Sequence, residues 1–322
     1  MEHLFGISAY QFDLDTYGGM HEAIRKVMNA GGDGVELLTG YFQPDAAFKG
    51  VAKGIHLPYA TDWYSVWTGD TGYIDHMDDD GARYMSYGRD RDEMVHTLVS
   101  AIGHASVLSP AYGVFHASNV RMGEVMGFTY SDKNEDVLRA VAELLNRTAA
   151  SFPEGEPPFT IVLENLWWPG LTMTDDIGFR ILDDALEFSN WGLCLDTGHL
   201  MNSLGHCRYE EEGIRDVLDT VRSYPAEMKD KIHVVHLHMS LSADHRERCI
   251  RDPVRPVTVT DGDMMSRAYE HVCKIDQHRP FTDTSCKEIV RTVSPKYLTH
   301  EISAPSASER ISGFAGQRSL FR

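Results

Sequence analysis

The chain has few cysteines, a shortage of positive charge and no long apolar run. Its five cysteines (Cys194, Cys207, Cys249, Cys273 and Cys286) are odd in number and show no CxxC spacing. That fits reduced thiols in a cytoplasmic protein better than a disulfide framework. No apolar segment approaches the roughly 18–20 residues of a membrane span. The first residues, MEHLFGISAYQF, lack the basic and apolar regions of a secretory signal, so neither secretion nor a membrane partner is expected. Acids outnumber bases 48 to 30, for a net charge of −18. No segment is rich in Lys or Arg, which weighs against a protein that holds nucleic acid through its phosphates. A glycine-rich phosphate loop after the first apolar segment is also missing, since ISAYQFDLDTYGG is not GxGxxG, which argues against an open dinucleotide-binding sheet.

What is present is a regular alternation. Short apolar segments at 4–10, 34–38, 54–58, 112–117, 159–165, 192–196, 232–238 and 297–301 read as strands. Between them lie amphipathic stretches of helical period, such as MHEAIRKVMNAG and NEDVLRAVAELLNRTAASF. Strand and helix in turn, without hairpin signals, imply a parallel sheet, and eight such units imply a closed (β/α)8 TIM barrel. A composition 42% apolar can bury so large a core. One barrel domain is expected over 1–303, with long loops at 60–88 and 239–280. The second loop reads as holding one helix, and the tail, 304–322, reads as weakly structured. The acid run DHMDDD at 75–80 lacks the spacing of a calcium loop and reads as solvated surface.

The ends of the strands carry the chemistry. The third ends in His56 (GIHLPY), the fourth in His116 (VFHAS) and the fifth in Glu164 (IVLENL). The sixth ends in Asp196 with His199 just beyond (CLDTGH), the seventh in His238 (HVVHLHMS) and the eighth in Glu301 (YLTHEIS). Barrel strands converge at their C-terminal ends on one cavity. Buried carboxylates there repel each other unless cations compensate them, and none of these segments offers a Lys or Arg at its inward end. A divalent metal, zinc, manganese, iron or cobalt, is therefore expected. Strand period puts His236 on the same face as His238 and turns His233 outward. Trp63, Trp67, Trp167 and Trp168 fall in loops near strand ends, and Trp63 and Trp167 are placed as faces on which a substrate could stack.

Taken in order, HLPY, FHAS, LEN, CLDTGH, HLH and the final strand's Glu301 resemble the xylose-isomerase-like TIM barrels, which include endonuclease IV and many sugar isomerases and epimerases. The resemblance covers roughly 1–303. HLPY is similar to the HxPY turn of the endonuclease IV branch. That branch also has a D-x-H pair after the seventh strand, which IDQH (Asp276, His278) would supply, with DHRERC (Asp244, His245) as the rival. With Asp276 and His278, all nine ligand types of a trinuclear zinc site are present.

Two reactions follow from one site. In an isomerase or epimerase acting on a small sugar, sugar phosphate or polyol, Glu164, Asp196, His238 and Glu301 would hold a single ion. The resemblance makes Glu164 and Glu301 the acid/base pair there, and His199 would bind a substrate hydroxyl. In a multi-zinc phosphodiesterase like endonuclease IV, His56, His116, His199, Asp276 and His278 would join as ligands of two or three ions. The charge ranks a small-molecule substrate ahead of abasic DNA, so the isomerase or epimerase is the leading expectation and the phosphodiesterase the alternative, and a homo-oligomer is allowed.

Overall fold

In the computed structural model, which describes residues 1–253 and 264–322, eight parallel strands close into a barrel in sequence order. They are β1 (Glu2–Ser8), β2 (Gly34–Leu38), β3 (Ala52–His56), β4 (Tyr112–His116), β5 (Thr160–Glu164), β6 (Trp191–Asp196), β7 (Ile232–Leu237) and β8 (Tyr297–His300). β8 pairs back onto β1, with Glu2 opposite Tyr297 and Phe5 opposite His300. The expected (β/α)8 fold is therefore present, with its strand boundaries moved by a residue or two. β1 stops before Tyr10, which instead occupies the extended position ahead of the helix Gln11–Tyr17. β3 stops before Pro58, which has no N–H for the ladder.

Strand period sorts the side chains. Leu4, Tyr112, Val114, Val162, Cys194 and Val234 pack inside the barrel as one buried cluster, while the alternate residues pack outward against the helices. Gly54 on β3 makes this filling possible. A Cβ there would collide with the Tyr112 ring, so the absent side chain lets Tyr112 reach across the barrel floor to Glu36 on β2, 2.6 Å away.

Three loop and tail expectations need correction. The segment after β7 holds two helices among the described residues, Ala243–Arg251 and Met264–Ile275. The mixed charges of DHRERC mask the first, whose buried positions are only Ala243 and Cys249. Residues 254–263 of that loop lie outside the described residues. The acid run does not stay a loop throughout: Asp78 caps the helix Asp79–Ser86 by accepting from the Gly81 N–H. The tail is not weakly structured. Ala307–Ser319 is a helix with a full capping box between Ser306 and Glu309, and Phe314 is completely buried against Phe5 and His300. Its Ser, Ala and Gly content hides a single buried stripe. All five cysteines are free. Among the described residues no helix is long and apolar enough to cross a membrane.

Candidate metal centre

The strand ends deliver their donors in three groups at the C-terminal mouth. In the first, Nε2 of His56 and Nε2 of His116 lie 3.4 and 3.2 Å from Oε2 of Glu164, and 3.1 Å from each other. In the second, Nδ1 of His236 faces Glu164 at 3.3 Å, Glu301 at 3.2 Å and Asp196 at 3.7 Å. In the third, Oδ2 of Asp276 is 3.2 Å from Nε2 of His199 and 3.4 Å from Nε2 of His278. His238 joins that group and also reaches Oδ2 of Asp196 at 2.8 Å. Glu164 links the first two groups, and Glu301, 3.2 Å from His278, links the last two.

Local backbone explains how Asp276 and His278 arrive. Met239 and Arg279 exchange both backbone hydrogen bonds, at 2.8 and 3.0 Å, so the returning chain runs antiparallel beside the end of β7. His278 sits at φ 46°, a left-handed conformation that is costly for a side-chain-bearing residue and recurs at functional sites. Asp244 and His245, the rival pair, do not come here. Asp244 pairs with Arg208, and His245 lies against His271 on the next helix.

Whether these residues fit metal can be tested on their tautomers. The Nδ1–H of His56 donates to the Leu57 carbonyl at 3.0 Å, and that of His199 to the Asn165 carbonyl at 2.9 Å. Nε2 of His236 meets the carboxylate of Glu36 at 3.0 Å, itself held by Tyr112 and by the Thr299 hydroxyl. Each ring thus has one nitrogen satisfied as a donor and the other, carrying a lone pair, aimed at the shared space. That is how a protein orients metal-binding imidazoles. Oε2 of Glu164 is buried without a hydrogen-bond partner, which is costly unless a cation takes it up. The residues fit divalent ions.

Electrostatics agree. Glu36, Glu164 and Asp196 are almost fully buried, and Asp276 and Glu301 stand beside them. Burial depresses His278, but Asp276 and Glu301 outweigh it and hold the ring up at about 9. Burial likewise opposes protonation of His199 and His236, and the surrounding carboxylates reverse it. Burial, helped by the neighbouring His56 and His199 rings, keeps His116 below the ordinary imidazole value. Metal-free, the cavity must therefore take up protons to balance its acids.

Two residues were not legible as site members. Glu36 lies mid-strand in GVELL, although a lone acid in an apolar strand was the available signal. Strand period puts His236 on the right face, yet His238 stands out as the strand-end donor, whereas it is His236 that points into the middle group. Trp63 does not serve as a stacking face: it is fully buried and donates its indole N–H to the Ser118 carbonyl at 2.8 Å. Trp167 lines the cavity with Trp168, edge-on to His199 with ring centroids 5.2 Å apart.

No family model and no curated protein matches this sequence. Solved structures do match over nearly the whole chain. A 3-keto-D-glucoside 4-epimerase from E. coli is similar over 99% of both chains, with a TM-score of 0.54 and 13% identity. The likeness is one of fold, a closed (β/α)8 barrel. A D-tagatose 3-epimerase-like protein matches all of this chain and 97% of its own (TM-score 0.52, 12% identity). Endonuclease IV from Thermus thermophilus matches all of this chain and 99% of its own (TM-score 0.50, 14% identity). At such identities the xylose-isomerase-like likeness speaks for the barrel alone. These neighbours are enzymes, and the reaction has to be argued from the residues.

Proposed function

We propose that this protein is a metal-dependent enzyme holding two or three divalent ions, and that it hydrolyses a phosphoester of a small, hydroxylated molecule. The observation that carries the reading is the third donor group. Asp276 and His278 come from beyond the barrel strands to meet His199, and one ion cannot use the donors of all three groups. His56, His116 and Glu164 would hold one ion, Glu164, Asp196, His236 and Glu301 a second, and His199, Asp276 and His278 a third, with His238 at its side. Divalent ions held there would supply an acidified water and would offset the charge of a phosphoryl group.

The chain's own residues do the rest. Glu36 fixes the tautomer of His236, and the Asn165 carbonyl fixes that of His199. Trp167 covers the His199 edge against water. Tyr59 stacks on His116 with centroids 4.8 Å apart and is half exposed at the rim, placed to lie over a bound substrate. The cavity, about 590 Å³, is of small-molecule size. Among the described residues its lining holds one Lys or Arg, Arg310, already paired with Asp13 at 2.8 Å. That supports a small substrate over a DNA backbone.

A second reading has its own observation. Glu164 and Glu301 approach the same Nδ1 of His236 from β5 and from the end of β8, a pair of carboxylates that an epimerase could use as its acid and base. Metal analysis together with two assays decides between them. Two or three equivalents of metal at the barrel mouth, with hydrolysis of bis(p-nitrophenyl) phosphate, is the expected result. One equivalent at the mouth, with ketose epimerisation and no hydrolysis, would replace the first reading by the second. Cleavage of an abasic duplex in preference to small esters would overturn the substrate class.

A further inference from the structure

Away from the barrel mouth, the two helices that follow β7 bring together a second set of donors. His245 and Cys249 stand one turn apart on Ala243–Arg251, and His271 faces them from Met264–Ile275. Nε2 of His245 lies 3.2 Å from Nδ1 of His271 and 3.6 Å from Sγ of Cys249. All three donor atoms fall within 4.8 Å of one another.

These separations have a specific meaning. With Zn–N near 2.0–2.1 Å and Zn–S near 2.3 Å, tetrahedral angles put two nitrogens about 3.3 Å apart and a nitrogen and a sulfur about 3.6 Å apart. The His245–His271 and His245–Cys249 spacings match those of neighbouring ligands around one tetrahedral ion. The i, i+4 placement of His245 and Cys249 puts both on one helix face, as such a site requires.

The surroundings point the same way. His271 is 3% exposed, and its Nδ1, not the unpartnered Nε2, is the atom that faces His245. Burial and the charges of Arg248 and Lys274 hold His245 below the ordinary imidazole value. Burial and His245 hold His271 down to about 4. Burial raises the Cys249 thiol, and a coordinating cation would deprotonate it outright.

We propose that His245, Cys249 and His271 form a second metal site, selective for zinc-like ions, that ties these two helices together. Its sulfur donor separates it from the nitrogen and oxygen donors at the barrel mouth, which also suit harder ions such as manganese. Three protein ligands leave the fourth tetrahedral position to water or another donor. The helix carrying His271 ends at Ile275, directly before Asp276, so an ion here also fixes the segment that delivers Asp276 and His278.

Cobalt(II) reads this site separately from the mouth, because only a thiolate ligand gives an intense near-ultraviolet charge-transfer band. The full chain is produced with cobalt in place of zinc and its spectrum recorded. The band is expected in the wild type and in Cys194→Ser, and it should vanish in Cys249→Ser and His271→Ala. Zinc analysis should show Cys249→Ser holding one ion fewer than the wild type. Absence of the band from the wild-type protein overturns the proposal without recourse to any variant. A band that survives Cys249→Ser overturns it equally, and one lost in Cys194→Ser moves the thiolate to the barrel.

Discussion

Nε2 of His199 and Oδ2 of Asp276 lie 3.2 Å apart across 77 residues of chain. His199 belongs to the first turn after β6, whereas Asp276 arrives only after β7 and the two described helices that follow it. A contact so distant in sequence, between two nearly buried polar groups, completes the third donor group. Asp276→Asn removes an anionic donor while keeping shape. The variant is expected to hold fewer ions than the wild type and to lose phosphoester hydrolysis by more than about 100-fold. An Asn variant with full metal content and full activity would remove the basis for a third ion.

How much of this is readable in the sequence depends on which physical signal each residue carries. The barrel is legible because eight apolar segments and their intervening helices repeat regularly, and closure follows from their number. His56, His116, Glu164, Asp196 and Glu301 can be placed at one mouth because each closes or directly follows an apolar strand, and barrel strands converge at their C-terminal ends. Asp276 and His278 have no strand to mark them and are visible only as a D-x-H pair, with Asp244 and His245 as rivals. Glu36 escapes because it lies inside a strand, where its partners Tyr112, Thr299 and His236 are set by barrel closure and not by local sequence. Trp63 misleads because a loop tryptophan shows no periodicity to separate packing from stacking. The final helix is hidden since its burial rests on a few positions, Ala307, Phe314 and Gln317.

Chelation should destabilise the protein, and more strongly at higher pH. With ions removed, protonated histidines must balance the buried acids. His278 is held up at about 9 in the folded, metal-free state against about 6.5 unfolded. A raised imidazole contributes stability that is complete below the unfolded value and is lost as pH climbs through the folded one. Metal binding has the opposite dependence, because protons compete with it at low pH. The difference in Tm between loaded and chelated protein is therefore expected to widen from about pH 6.5 to about pH 9. A gap that stays constant or narrows over that interval would contradict the account of how the acids are compensated.

Glu36 acts through His236. Its carboxylate receives the Tyr112 and Thr299 hydroxyls and faces Nε2 of His236, which leaves Nδ1 for the centre. Glu36→Gln keeps the size but can present an amide N–H to the ring and so favour the wrong tautomer. Metal affinity of the middle group is expected to fall about 10–100-fold, with Glu36→Asp recovering part of it and excess metal restoring turnover. If activity falls but neither metal affinity nor metal rescue changes, the positioning role is wrong.

The helix Ala307–Ser319 should be essential to the barrel, because it closes the seam between the first and last strands. Gln317 accepts the Phe281 N–H through Oε1 and uses Nε2 toward the Leu237 carbonyl and Nδ1 of His300, both at 2.8 Å. As the amide nitrogen can only donate, His300 carries its proton on Nε2 and gives it to Nδ1 of His3, 3.0 Å away. One side chain thus orders a buried chain running from β7 through β8 to β1. Gln317→Leu would strand three buried polar partners and should cost at least about 2 kcal/mol. Phe314→Ala should cost about 3–5 kcal/mol through loss of buried ring contacts. Truncation after Ser303 should leave protein that fails to unfold cooperatively in urea. A truncated chain as stable as the full one would mean that the strands close the barrel without this helix. The single polar chain from Gln317 to His3 would then be a consequence of closure and not a cause.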